Sequence, residues 1–177
     1  MKYLHHIVIP VMLLLVSCQT TQEAPGVSAP AGEKKSVSAK ATLVTSPITP
    51  GRWISNQQFE TTADGASFAT TYSLYFPVSY APGKETLTVL LLPDHGGTPS
   101  DWAGSWITRI ANERNWVLVA PNMKSSIYES EFFPDTRYQW APIPGALWLT
   151  DVFIPQIRKH WDVFRNRESS AVVGAGN

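Results

Sequence analysis

From Thr86 the chain alternates and then turns uniformly apolar, Thr86-Leu-Thr-Val-Leu-Leu-Leu92, until Pro93 ends the run. A short continuous apolar run bounded by a turn residue is the pattern of a strand buried on both faces. The turn carries His95-Gly96-Gly97, and Ser100-Asp101-Trp102 then opens a helical pattern. Ser100 fits the N-cap, and Trp102, Trp106, Ile107 and Ile110 form the apolar stripe of that helix. Trp116 to Ala120 reads as a second buried strand, stopped by Pro121-Asn122. Upstream, Trp53 to Phe59 and Ser67 to Val78 are rich in Thr, Tyr, Phe and Trp. They are joined through Ala63-Asp64-Gly65-Ala66, which predicts an antiparallel hairpin or meander. Tyr80-Ala-Pro-Gly83 is a turn. Ala146 to Trp161 has a helical apolar set of Leu147, Val152, Phe153, Ile154, Ile157 and Trp161, with a kink or restart expected at Pro155. Ser170 to Val173 is a third buried strand, entering Gly174-Ala175-Gly176-Asn177. Strand, helix, strand, helix, strand after an antiparallel start predicts an α/β sheet with parallel crossovers.

The rest of the chain does not carry a core. From Gln19 to about Pro50 it is Pro, Ala, Ser, Thr, Gly and Lys with almost no large apolar residue. Such a segment buries too little surface to offset its ordering entropy, so residues 18–50 read as a flexible tether before a domain at 51–177. Residues 1–17 have a lysine near the start and an apolar stretch from Ile7 to Val16, the pattern of a secretory signal. They end Leu15-Val16-Ser17-Cys18, which resembles a bacterial lipobox. The resemblance implies palmitate-type acylation of Cys18 and anchoring to a membrane, and Gln19 after the cysteine implies the outer membrane. A plain secretory signal or a core cysteine is the alternative.

Composition narrows the partners. At 177 residues one domain is expected, with 44% hydrophobic and 11% aromatic residues. Fourteen basic and fourteen acidic residues cancel, so nothing points to nucleic acid. One cysteine excludes an internal disulfide framework and a cysteine-based zinc site. No internal repeat is visible.

Candidate chemistry concentrates in two places. A strand that ends in His95-Gly96-Gly97 before a helix presents backbone N–H groups with no side chain in the way, as an oxyanion hole requires. An ordinary strand-to-helix turn that needs glycine for positive φ is the alternative. The second place is the long loop from Met123 to about Pro144, a length that usually marks a functional segment or a lid. Its aromatics Tyr128, Phe132, Phe133, Tyr138 and Trp140 suit stacking on a sugar or aryl ester, or simply pack the loop down. Glu129 and Glu131 with Asp135 form a glycosidase-type acid set or a group of solvated loop acids, the latter being favoured. Asp94-His95 with Asp101 lacks a third ligand at convincing spacing, so no metal is expected. His160 reads as a helix-surface residue, and His5 and His6 leave with the signal.

The order of elements resembles the N-terminal half of an α/β-hydrolase, of the secreted esterase type that includes feruloyl esterases, polyhydroxybutyrate depolymerase-like proteins and esterase D-like enzymes. The resemblance spans Phe59 to Asn177 and rests on three stretches. Leu90-Leu-Leu-Pro-Asp-His95-Gly96-Gly97 is similar to the third strand and oxyanion loop. Ile110 to Asn122 is similar to the next helix and strand, and Asp151-Val-Phe-Ile-Pro-Gln-Ile157 to the helix before the nucleophile. The resemblance implies an ester hydrolase without a cofactor, acting on a small-molecule or polysaccharide-linked ester, with Gly97 donating to the oxyanion. The family continues with a Gly-x-Ser-x-Gly elbow. If Gly174 is its first glycine, Gly176 replaces the nucleophile. If Gly176 is, Asn177 is the variable residue and serine comes next. The second register is favoured, since a strand of about four to six residues then runs from Ser170 through Ala175. The expectation is that the serine, acid and histidine are not in this chain, and that it is a truncated, inactive form. A non-catalytic glycan- or cell-wall-binding lipoprotein on a degenerate hydrolase scaffold is the alternative.

Overall fold

A computed structural model describes residues 39–43, 45–63, 65–126, 128–133 and 141–174. The signal, Cys18, Asp135, Tyr138, Trp140, Gly176 and Asn177 lie outside them. Among the described residues no helix is long and apolar enough to cross a membrane.

Six strands form one sheet: β1 (Ala39–Leu43), β2 (Trp53–Ala63), β3 (Ala66–Tyr75), β4 (Leu87–Leu92), β5 (Trp116–Pro121) and β6 (Ser170–Gly174). Their order across the sheet is β1-β2-β3-β5-β4-β6. The first pairings are antiparallel, β1 with β2, β2 with β3 and β3 with β5. β4 then runs parallel to both β5 and β6. The hairpin between β2 and β3 closes on the pair Ala63↔Ala66, and Gly65 in its turn has φ +78°, the left-handed conformation that the Asp-Gly signal anticipates.

The central strands are covered on both faces, which explains why they read as continuous apolar runs. Leu90, Val117 and Val119 belong to one core with Phe59, Trp148 and Phe153. Val89, Leu91, Leu118 and Ala120 point to the other, with Trp102, Ile107 and Ala111. Helix α1 (Ser105–Arg114), between β4 and β5, covers the second face. The first is covered by α2 (Gly145–Leu147), a π-helical stretch (Trp148–Phe153) and α3 (Ile154–Trp161). Crossovers that leave β5 and β4 in opposite lateral directions place their helices on opposite faces.

Several expectations are corrected. The tether does not extend to Pro50: residues 39–43 form edge strand β1, with Ala41 and Leu43 packed against the core. Ser100 is not the N-cap of a continuous helix. Pro99–Trp102 is a separate 3₁₀ turn capped by Thr98, and Gly104, extended at φ −65° and ψ 150°, breaks the chain before α1. Trp106 is consequently turned out, 51% exposed, and Ile107 and Ala111 carry the buried stripe. At Pro155, by contrast, the expected restart is found: a π-helical stretch ends at Phe153 and α3 begins at Ile154, with the proline in its first turn, where no donor is required of it. Finally β6 is not buried. It is bonded to β4 on one side only, and Val172 is 63% exposed.

Candidate functional site

Parallel β4 and β6 deliver their carboxyl ends to the same edge of the sheet, where α/β folds place ligands. The register pairs Leu92 with Gly174. The turn after β4 therefore begins beside Gly174, the residue that leads out of β6.

The loop is tightly self-bonded. The Gly97 N–H donates to the Asp94 carbonyl at 2.8 Å, closing a turn over residues 94–97, and Gly96 within it has φ +74°. The Gly96 N–H donates to the Lys124 carbonyl at 2.8 Å, joining this loop to the one after β5. The Thr98 N–H donates to the Asp101 carboxylate at 2.6 Å, and the Asp101 N–H returns to the Thr98 carbonyl at 3.1 Å. The His95 N–H donates to its neighbour's Asp94 Oδ1 at 2.7 Å. In this structure Gly97 is therefore a turn donor through its amide. Its glycine identity has a packing cause: a Cβ there would lie 2.8 Å from Asp101 Oδ2 and 2.9 Å from the Asp94 carbonyl. Asp94 and Asp101, weighed as metal ligands, serve as acceptors for backbone amides. No metal-binding cluster of His, Cys, Asp and Glu occurs among the described residues.

The loop after β5 buttresses this turn from below. Asn122 pairs with β3 through its N–H to the Thr71 carbonyl at 2.8 Å and its carbonyl to Thr70 Oγ1 at 2.6 Å. Lys124 and Tyr128 both hold positive φ, +49° and +56°. Ser126 Oγ is buried and accepts the Tyr128 N–H at 3.2 Å. The Tyr128 hydroxyl then reaches the Pro93 carbonyl at 2.6 Å. Burial first, and the negative charge of Asp94 second, push the Tyr128 phenol well above its ordinary range, so it stays a neutral donor.

The other loop residues separate. Phe133 is 52% exposed and Phe132 is half-buried. The Glu129 carbonyl accepts the Ala146 N–H at 2.9 Å, which ties the loop to α2, and Glu131 is exposed. His160 is exposed on α3, its Nδ1 2.8 Å from the Gln156 carbonyl, as a helix-surface residue should be. The sequence reading missed the Lys124 carbonyl and the Ser126–Tyr128 buttress. Neither has a side-chain signature, because both depend on left-handed backbone at residues other than glycine.

No family model matches the sequence, and no curated protein does. Solved structures do. An S-formylglutathione hydrolase from Agrobacterium tumefaciens is 14% identical with a TM-score of 0.51, over 75% of this chain and 52% of that one. Fluorophosphonate-binding serine hydrolase F of Staphylococcus aureus is 16% identical with a TM-score of 0.52, over 71% of this chain and 48% of that one. A ferulic acid esterase from Anaeromyces mucronatus, solved with ferulic acid, is 16% identical with a TM-score of 0.45, over 89% and 56%. The first two define the class: this chain has an incomplete α/β-hydrolase fold, similar to that of esterase-type hydrolases. It spans about half the length of these structures.

Proposed function

We propose that the chain supplies the oxyanion half of a serine-esterase site, in a protein that hydrolyses carboxylic esters and is anchored to the membrane through acylated Cys18. The observation that supports this reading is the Leu92↔Gly174 pairing, which brings the end of β6 beside the end of the strand that leads into the His95-Gly96-Gly97 loop. In the proposed reaction a serine following Asn177 attacks the ester carbonyl, the alcohol leaves, and water releases the acid from the acyl-serine. The loop assigned to the oxyanion is His95-Gly96-Gly97, whose amides in this structure bond to Asp94 and Lys124. Removing one such donor costs about 10²–10³ in rate. The 177 residues alone are expected to be inactive. A first-half α/β-hydrolase with no serine, acid and histidine set of its own retains only binding groups.

The test is hydrolysis of p-nitrophenyl acetate by the protein read continuously from its gene through the residues that follow Asn177. The expected result is turnover that disappears when the first serine after Asn177 becomes alanine. A reading frame with no serine at that spacing, or turnover unaffected by its loss, overturns the proposal.

A further inference from the structure

We infer that the groove between α3 and β6 seats a helix that continues the chain after β6, and that Arg158 and Arg167 select a carboxylate on that helix. This rests on the reading, proposed above, that the protein continues past Asn177. Leu90 and Phe164 form the floor of the groove, Ile154 a wall and Val172 the outer lip, around a cavity of about 360 Å³. The register pairs Leu90 with Val172, so both point to the face that α3 covers. Val172 is nonetheless 63% exposed, and among the described residues no strand lies on the outer side of β6. An apolar lip beside an open edge calls for a covering element.

The topology fixes where that element runs. The chain passes from β5 across β4 to β6 through α3. β4 already fills the inner side of β6, so a further parallel strand joins the outer side and extends the sheet in the same lateral direction. A right-handed crossover in that direction lies on the same face as α3, against the groove. Charge then narrows the occupant. Arg158 and Arg167 line the groove, both are exposed, and among the described residues neither forms an ion pair. A helix with an apolar stripe and an Asp or Glu at the border of that stripe satisfies both features. A second copy of the chain does not, since a two-fold contact over the groove brings the arginines of the two copies together.

The experiment is maleimide labelling of the protein read from its gene through the residues after Asn177, in a Cys18→Ala background. Val172→Cys is compared with Val78→Cys, because the two valines are similarly exposed here, 63% and 68%. The thiol at 172 is expected to react about tenfold more slowly than the one at 78, since the helix must open before the reagent enters. Adding Arg158→Gln and Arg167→Gln is expected to speed labelling at 172 about threefold through the lost ion pairs. Removing cations beside a thiol would by itself slow the reaction, so acceleration is specific to opening. Equal rates at the two positions, or a reading frame that ends before a helix length of apolar-striped sequence, overturn the seated helix. Protection that the two glutamines leave unchanged overturns the carboxylate, and protection lost on dilution gives the groove to a second copy instead. Labelling is separable from turnover. Protection in a protein that does not hydrolyse esters refutes the esterase reading alone, and hydrolysis with equal labelling refutes the seated helix alone.

Discussion

The Tyr128 hydroxyl donates a 2.6 Å hydrogen bond to the carbonyl of Pro93, 35 residues earlier in the chain. It links the loop after β5 to the first residue of the candidate oxyanion loop. Tyr128→Phe removes the donor and keeps the ring, so a loss of about 1 kcal/mol is expected in urea unfolding. Faster amide exchange should accompany it at Gly96 and Gly97. Unchanged exchange would show that the loop holds its shape without the phenol.

The same residue makes stability depend on alkaline pH. Burial, then the Asp94 charge, raises the folded-state pKa of Tyr128 above its ordinary 10, so the folded chain keeps a proton that the unfolded chain loses. That contribution is fully present below pH 10 and is lost as pH rises beyond it. Tyr72 and Tyr80 are raised too, each through burial first. The fall in stability above pH 10, measured by urea midpoints, is therefore expected to be shallower in Tyr128→Phe but not absent.

Gly145 tests the buttress. A Cβ there would lie 1.9 Å from Ser126 Oγ and 3.1 Å from Ser126 Cβ. Gly145→Ala is expected to cost about 2–3 kcal/mol through overpacking, read from a thermal or urea transition. Ser126→Ala in the same chain removes the nearer atom and should restore part of the loss. No restoration in the double variant would place the clash elsewhere.

Leu43 decides whether β1 is part of the folded domain. Half-buried against the main core, it should lose about 1–2 kcal/mol on replacement by alanine. A tether residue would lose nothing, so an unchanged unfolding midpoint returns residues 39–43 to the linker.

The proposed anchoring rests on Cys18. Expressed in a bacterial host, the chain is expected in the membrane fraction, labelled by a palmitate analogue. Cys18→Ala should be unlabelled and released by washing. Equal partition of the two proteins would remove the lipid anchor from the proposal.

Much of the frame was legible because burial on both faces leaves a strong trace. β4 and β5 read as uninterrupted apolar runs since Leu90 and Leu91 each have a core to enter. The Asp64-Gly65 turn announced the hairpin by its need for positive φ. Edge strands leave no such trace. Ala39–Leu43 has a linker's composition and is held chiefly by pairing with β2, while the valines of β6 advertise burial that a one-sided edge does not provide. At the site, glycines marked the loop but not the direction of its amides. That direction depends on Asp94 carrying two acceptors, a carbonyl that takes Gly97 and a carboxylate that takes His95.

The bond from Gly96 N–H to the Lys124 carbonyl joins two loops through main chain alone. Side-chain replacement at either partner cannot delete it, although the left-handed backbone at Gly96 limits what stands there. Residues 129–133 can thus vary in size, charge and aromatic character while the turn over residues 94–97 keeps its anchor. Under the proposed esterase reading, substrate preference can drift over generations without re-solving the geometry of that turn each time.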